Sequence, residues 1–185
     1  MFEQLLAKIA KVLTAESVPY MVIGGQAVLV YGEPRITKDI DITLGLPPFE
    51  PDKLLPVVEK LGFKILVENP ISFLEQTFVL PVADISSGIR IDFICSLSEY
   101  EKIAIARAKT VTIGNTQVKF ISLEDLIIHK TIAGRQRDLD DIRTILLKHP
   151  SYDDQYVTEW LSLHDQELAT DYEERLKQLK RSLRS

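Results

Sequence analysis

The chain has 185 residues, 45% of them hydrophobic and 26% charged, and carries a formal net charge of −5. That length supports one domain with a real core and at most a small appendage. The acidic balance argues against a broad surface for nucleic acid, no apolar run approaches the roughly 18 residues that a bilayer span needs, and the single Cys95 excludes both an internal disulfide and a Cys-rich zinc site. The N-terminal stretch MFEQLLAKIAKVL mixes charges among its apolar positions, unlike a leader peptide, so a cytoplasmic protein that meets no membrane is expected.

Phe2, Leu5, Leu6, Ile9 and Leu13 recur at helical spacing, which predicts an amphipathic helix over 2–15. After Pro19, Tyr20 to Ile23 reads as a short buried strand ending at Gly24-Gly25. A helix then runs from Ala27 to Tyr31 and stops near Gly32. Asp39 to Leu44 alternates polar and apolar, the pattern of a half-buried strand. Asp52 is a candidate cap for a helix through Leu61, and a strand follows from Phe63 to Val67. Two more strands are predicted at Thr77–Val82 and Ile89–Cys95, turned by Ser86-Ser87-Gly88. A helix over 98–108 leads to a hairpin, 111–113 and 118–120, around Gly114-Asn115. From Ser122 onward the pattern is helical, with Ser122 and Asp125 spaced as in a capping box. The expected organisation is a mixed α/β part, 1–121, followed by a helical part, 122–185, packed on it.

The chemistry begins with Asp39 and Asp41. Two apart on a strand, they share a face, with Ile40 and Ile42 on the other. Like charges held this close repel, and a divalent cation turns the pair into a ligand set; Mg²⁺ takes oxygen ligands from one or two carboxylates plus water and phosphate. An Asp-x-Asp pair taken alone is more often a solvent-facing edge strand. Asp92, in the apolar run Ile89 to Ile94, offers a third acid if its strand lies beside the first. Arg90, on the same face as Asp92, reads as an ion-pair partner of these acids rather than a catalytic group.

Gly24 and Gly25, between a strand and a helix, would let backbone approach a phosphate, although a plain turn is the commoner meaning of such a pair. Lys130 and Arg135 lie just over one helical turn apart, within reach of one polyphosphate. Asp138 and Asp141 read as structural: one a helix cap, the other a partner for Arg135. Cys95 reads as a buried inert thiol. The basic C-terminal stretch RLKQLKRSLRS reads as a solvated helix face, with a polyanion contact as the alternative.

The string Ile23-Gly24-Gly25, a helix, and then Arg35 to Ile42 with Asp39-Ile40-Asp41, followed by Asp92 on a later strand, resembles the signature of the DNA polymerase beta-like nucleotidyltransferase superfamily. The pattern Lys130, Arg135, Asp138, Asp141 is similar to the downstream motif of its AbiEii-like toxin branch. The resemblance implies an α/β (α+β) fold, a minimal core of mixed β-sheet flanked by helices with a C-terminal helical segment. It implies that Asp39, Asp41 and Asp92 hold Mg²⁺, two ions with Mn²⁺ as a substitute, and that Gly24, Gly25, Lys130 and Arg135 hold a nucleoside triphosphate. An acceptor hydroxyl, on a tRNA, a protein or a small molecule, would attack the α-phosphate and pyrophosphate would leave. An antitoxin protein is the partner implied by the toxin branch. The competing expectation is a catalytically silent nucleotide-binding or regulatory module on the same fold.

Overall fold

The computed structural model describes residues 1–96 and 98–183, and the chain divides into two compact units. The first comprises Met1–Gln26 and Ile36–Ile121; the second comprises Ala27–Arg35 and Ser122–Ser185. Among the described residues, no helix is long and apolar enough to cross a membrane.

The first unit opens with helix α1 (Phe2–Ala15), whose buried stripe is Leu5, Leu6, Ile9, Ala10 and Leu13. Strand β1 (Tyr20–Val22) leads into helix α2 (Gly24–Tyr31), of which only the first turn belongs to this unit. Then come β2 (Asp39–Leu44), α3 (Pro51–Leu61), β3 (Phe63–Ile65), α4 (Pro70–Thr77), β4 (Val79–Asp84), β5 (Arg90–Cys95), α5 (Glu99–Ala106), β6 (Lys109–Ile113) and β7 (Thr116–Phe120). The strands form one seven-stranded mixed sheet in the order β3-β4-β5-β2-β1-β7-β6. β2 runs parallel to β5 and β1 parallel to β7; the remaining neighbours are antiparallel. The mixed α/β sheet expected from the sequence is therefore present.

Burial explains why β2 and β5 sit at the middle. Ile40, Ile42, Ile91 and Phe93 are fully buried on one face of the sheet, and each alternates with an acid on the other. Truncating such a side chain, for example Phe93→Ala, costs about 3–5 kcal/mol in a close-packed core, so the register of this strand pair is strongly held.

The second unit takes the rest of α2, the segment to Arg35, and helices α6 (Leu123–Ala133), α7 (Gln136–Lys148), α8 (Asp154–Leu168) and α9 (Tyr172–Ser182). Segment 27–35 joins these helices through polar ties: Lys148 Nζ donates to the Gly32 carbonyl at 2.7 Å, and His149 Nε2 meets the Tyr31 carbonyl at 2.9 Å. Ser122 caps α6, its Oγ accepting from the Asp125 N–H and donating to the Asp125 carboxylate at 2.6 Å.

Several boundaries differ from those expected. α2 begins at Gly24 rather than Ala27. α4 was not foreseen, and Thr77, expected to start a strand, ends that helix; Phe78 at φ +61° breaks the chain into β4. Glu50 holds the N-cap position of α3 without a side-chain cap, and Pro51 is in the first turn, so Asp52 lies inside the helix, where an acid complements the dipole.

Candidate active site

The three acids singled out in the sequence meet on one face of the central strands. In the parallel β2–β5 register, Asp41 faces Asp92 and Asp39 faces Arg90. Paired residues on adjacent strands point to the same side. The four side chains thus form a two-by-two patch of three carboxylates and one guanidinium. Arg90 Nε lies 2.9 Å from Asp92 Oδ1, the ion pair expected for it. The Arg90 pKa is raised, first by the hydrogen bond to Asp92 and, after an opposing desolvation effect, by the charges of Asp92, Asp39 and Asp41. One cation feels all three acids.

Gly24 fixes the approach to this patch. The Ile23 N–H donates to the Asp41 carbonyl at 2.9 Å, locking the end of β1 beside β2. The chain then turns at Gly24, φ +62°, into the first turn of α2. A Cβ on Gly24 would stand 2.1 Å from Asp41 Oδ2. The glycine therefore serves the carboxylate directly: it admits the left-handed turn and leaves room for the acid against the backbone. Gly25 follows within the same helical turn. Gln26, buried, donates from Nε2 to Thr37 Oγ1 at 2.7 Å and to the Asp39 carbonyl at 3.5 Å, tying the helix start to the segment that enters β2.

Among the described residues, no group of three or more His, Cys, Asp or Glu side chains is arranged to hold a metal ion. Asp39, Asp41 and Asp92 instead make an open patch of oxygen donors with a cation already at its edge. That chemistry suits a hard divalent ion whose remaining ligands are water and phosphate, as Mg²⁺ requires, better than a soft or caged metal.

Lys130 and Arg135 belong to the second unit and to a different arrangement. Lys130 is buried, its Nζ lying 2.8 Å from Asp138 Oδ1 and 2.8 Å from Asp141 Oδ2. Asp141 also pairs with Arg35, whose Nη2 donates to Oδ2 at 3.1 Å while Nε lies 3.0 Å from Oδ1 without a hydrogen bond. Arg135, expected against Asp141, lies against Asp138, with Nε 2.6 Å from Oδ2. The order is Arg35, Asp141, Lys130, Asp138, Arg135, alternating in sign. Burial pushes the Asp138 pKa up, but the hydrogen bonds and charges of Arg135 and Lys130 outweigh it and leave the carboxyl below its usual range. The Arg135 side chain remains 78% exposed. Sequence reasoning missed Arg35, Gln26 and Thr37 as structural partners; Arg35 lay within the quoted signature, but nothing local pointed to Asp141.

The basic C-terminal helix is committed within its own unit. Arg175 donates to the Thr131 carbonyl at 2.7 Å, Lys177 pairs with Glu173, Lys180 with Asp154 and Arg181 with Glu174. Cys95 is buried, and desolvation pushes its thiol up to about 11, so it is inert at neutral pH.

Comparison with known proteins places this architecture. The fold is similar to that of an antigenic nucleotidyltransferase-like protein from Paracoccidioides brasiliensis, at 16% identity over 95% of this chain and 91% of that one, with a TM-score of 0.57. It is also similar to the antibiotic-resistance factor ANT(2'')-Ia, at 17% identity over 91% and 97% and a TM-score of 0.54. The lincosamide antibiotic adenylyltransferase LnuA, solved with lincomycin bound, matches at 17% identity over 77% and 94%, with a TM-score of 0.54. At these identities the likeness is one of fold. Comparison with curated proteins gives no match. Residues 2–184 match the family described as "Nucleotidyl transferase of unknown function (DUF2204)", and since that is nearly the whole chain, the chain belongs to this family of nucleotidyl transferases.

Proposed function

We propose that the chain is a divalent-metal-dependent nucleotidyltransferase that moves a nucleoside monophosphate from a triphosphate to a hydroxyl on a small-molecule acceptor. The observation that carries this reading is the carboxylate patch of Asp39, Asp41 and Asp92 beside the glycine-led start of α2. Asp39, Asp41 and Asp92 would hold Mg²⁺, with Mn²⁺ as a substitute. A bound divalent ion would neutralise phosphate charge and make the acceptor hydroxyl more acidic. The N–H groups at the first turn of α2, at Gly24 and Gly25, present the positive end of the helix to phosphate oxygens. The acceptor oxygen forms a bond to the α-phosphorus as the bond to pyrophosphate breaks, and the hydroxyl proton passes to a carboxylate of the patch or to solvent.

A small acceptor is favoured over a large RNA because the net charge is −5 and the cations of α9 are paired with acids or carbonyls of their own unit. The likeness to ANT(2'')-Ia, an antibiotic-resistance factor, and to LnuA, a lincosamide antibiotic adenylyltransferase, supports the same class of acceptor. Lys130 and Arg135 as triphosphate ligands, and a toxin held in check by an antitoxin, rest on the downstream motif. Its residues neutralise one another, so neither reading gains from their geometry. Of the two, Arg135 is the exposed side chain and Lys130 the buried one.

The test is calorimetric titration of the four nucleoside triphosphates with Mg²⁺, on the wild type and on Asp39→Ala/Asp41→Ala, with pyrophosphate release from a panel of hydroxyl acceptors as the second readout. Selective Mg²⁺-dependent binding, reduced about 100-fold or more in the double variant, is expected for loss of charge-stabilising groups. Metal-independent binding of equal strength in both proteins would instead favour the catalytically silent module.

A further inference from the structure

We propose that Arg90 is the built-in counter-ion of the carboxylate patch, and that a divalent cation must take Asp92 from it. This rests on the metal-dependent reading of Asp39, Asp41 and Asp92.

The register makes the case. Asp41 and Asp92 are direct partners across β2 and β5. Two like charges opposite one another destabilise a strand pair. Arg90 is the partner of Asp39 and stands two residues from Asp92 on the same strand, so its side chain shares the face of all three acids. Its Nε has closed on Asp92 Oδ1 at 2.9 Å. The guanidinium offsets the repulsion between Asp41 and Asp92 and holds the pair together before any metal arrives. Its hold on Asp92 is loose. The Arg90 side chain is 55% exposed and that of Asp92 18%, so the contact is made at a wet edge where ion pairs are individually weak.

Arg90 and a metal would therefore compete for the Asp92 carboxylate. A divalent ion arriving at Asp41 and Asp92 meets a guanidinium already on Asp92, and the two positive charges cannot share one carboxylate without repulsion. Arg90 swings out to solvent when the ion enters. The consequence is a site whose affinity for free metal is deliberately low, and whose strands stay paired when the metal is absent.

The experiment is Mn²⁺ binding to the full chain without nucleotide, followed by the paramagnetic resonance signal of free Mn²⁺, for wild type, Arg90→Gln, Arg90→Met and Asp92→Asn. Removing the competing charge is expected to tighten Mn²⁺ binding roughly tenfold in both neutral variants, while their metal-free forms melt earlier than wild type and recover on adding Mn²⁺. Arg90→Met keeps the side-chain stem and serves if Arg90→Gln does not fold. Asp92→Asn should bind Mn²⁺ more weakly than wild type. Binding in the neutral variants that equals or falls below wild type overturns the counter-ion role while leaving the metal site intact. Binding in the neutral variants alone supports it most strongly, and no binding in any of the proteins overturns both this role and the metal-dependent reading.

Discussion

Gly24 carries two constraints that can be separated by experiment. Its φ of +62° is one that side chains rarely adopt, and its missing Cβ leaves the space that Asp41 Oδ2 fills. Gly62 has nearly the same φ, +66°, but nothing within 4 Å of where its Cβ would stand. Gly62→Ala should therefore cost only the backbone term, about 1 kcal/mol. Gly24→Ala should cost more, about 2–3 kcal/mol, because the carboxylate must also move. Urea unfolding of both variants measures the difference, and calorimetry measures its consequence: Gly24→Ala should lose Mg²⁺-dependent nucleotide binding, and Gly62→Ala should keep it. Equal costs at the two positions would show that Asp41 yields freely and that Gly24 matters only as a turn. The sequence pointed to Gly24 for a different reason, close approach to a phosphate, because a strand-glycine-helix string looks the same whether the backbone is making room for a ligand or for its own acid.

Elements whose own residues carry the signal were legible, and elements defined by distant partners were not. β2 and β5 could be read from period-two alternation, since the core takes every second residue of each strand. Helix α4 could not: Leu74 is its one buried residue, so no apolar stripe marks it. Nothing near Arg35 in the sequence points to its partner Asp141, which lies 106 positions away. The same limit applies to Lys130, whose one-turn spacing from Arg135 suggested a shared phosphate, although both side chains are drawn onto the acids of α7. The two roles make opposite predictions for Lys130→Met. If Lys130 holds α6 to α7, its loss leaves two buried carboxylates short of a partner and should cost about 3 kcal/mol, the low end of the usual range because Arg35 and Arg135 remain. Nucleotide affinity should then change little at temperatures where the variant is folded. Unchanged stability with a large rise in the nucleotide Kd would place Lys130 on the triphosphate after all.

At the scale of the whole molecule, stability should depend on pH through a group that has no part in the proposed chemistry. The His129 ring is buried at Nε2, and desolvation brings its pKa from 6.5 down to about 4; His164 and Lys130 push the same way, and Asp125 opposes them. A depressed histidine is neutral in the folded state and takes up a proton on unfolding. Its contribution is therefore complete above pH 6.5 and is lost as pH falls from there toward 4, a total on the order of 3 kcal/mol. Asp84, Asp138 and Asp165 all have lowered pKa values, so their contributions are lost only below the ordinary carboxylate range, at more acid pH. The two effects separate along the pH axis. Trp160, the one tryptophan, lies on α8 in the same unit as His129 and reports its unfolding by fluorescence. The urea midpoint followed at Trp160 should fall between pH 7 and pH 5 in the wild type, and should be nearly flat over that interval in His129→Gln, whatever the variant's absolute stability. A wild-type midpoint that does not move between pH 7 and pH 5 would mean that the imidazole is hydrated in solution and titrates normally. The acid sensitivity of the protein would then rest on its carboxylates alone.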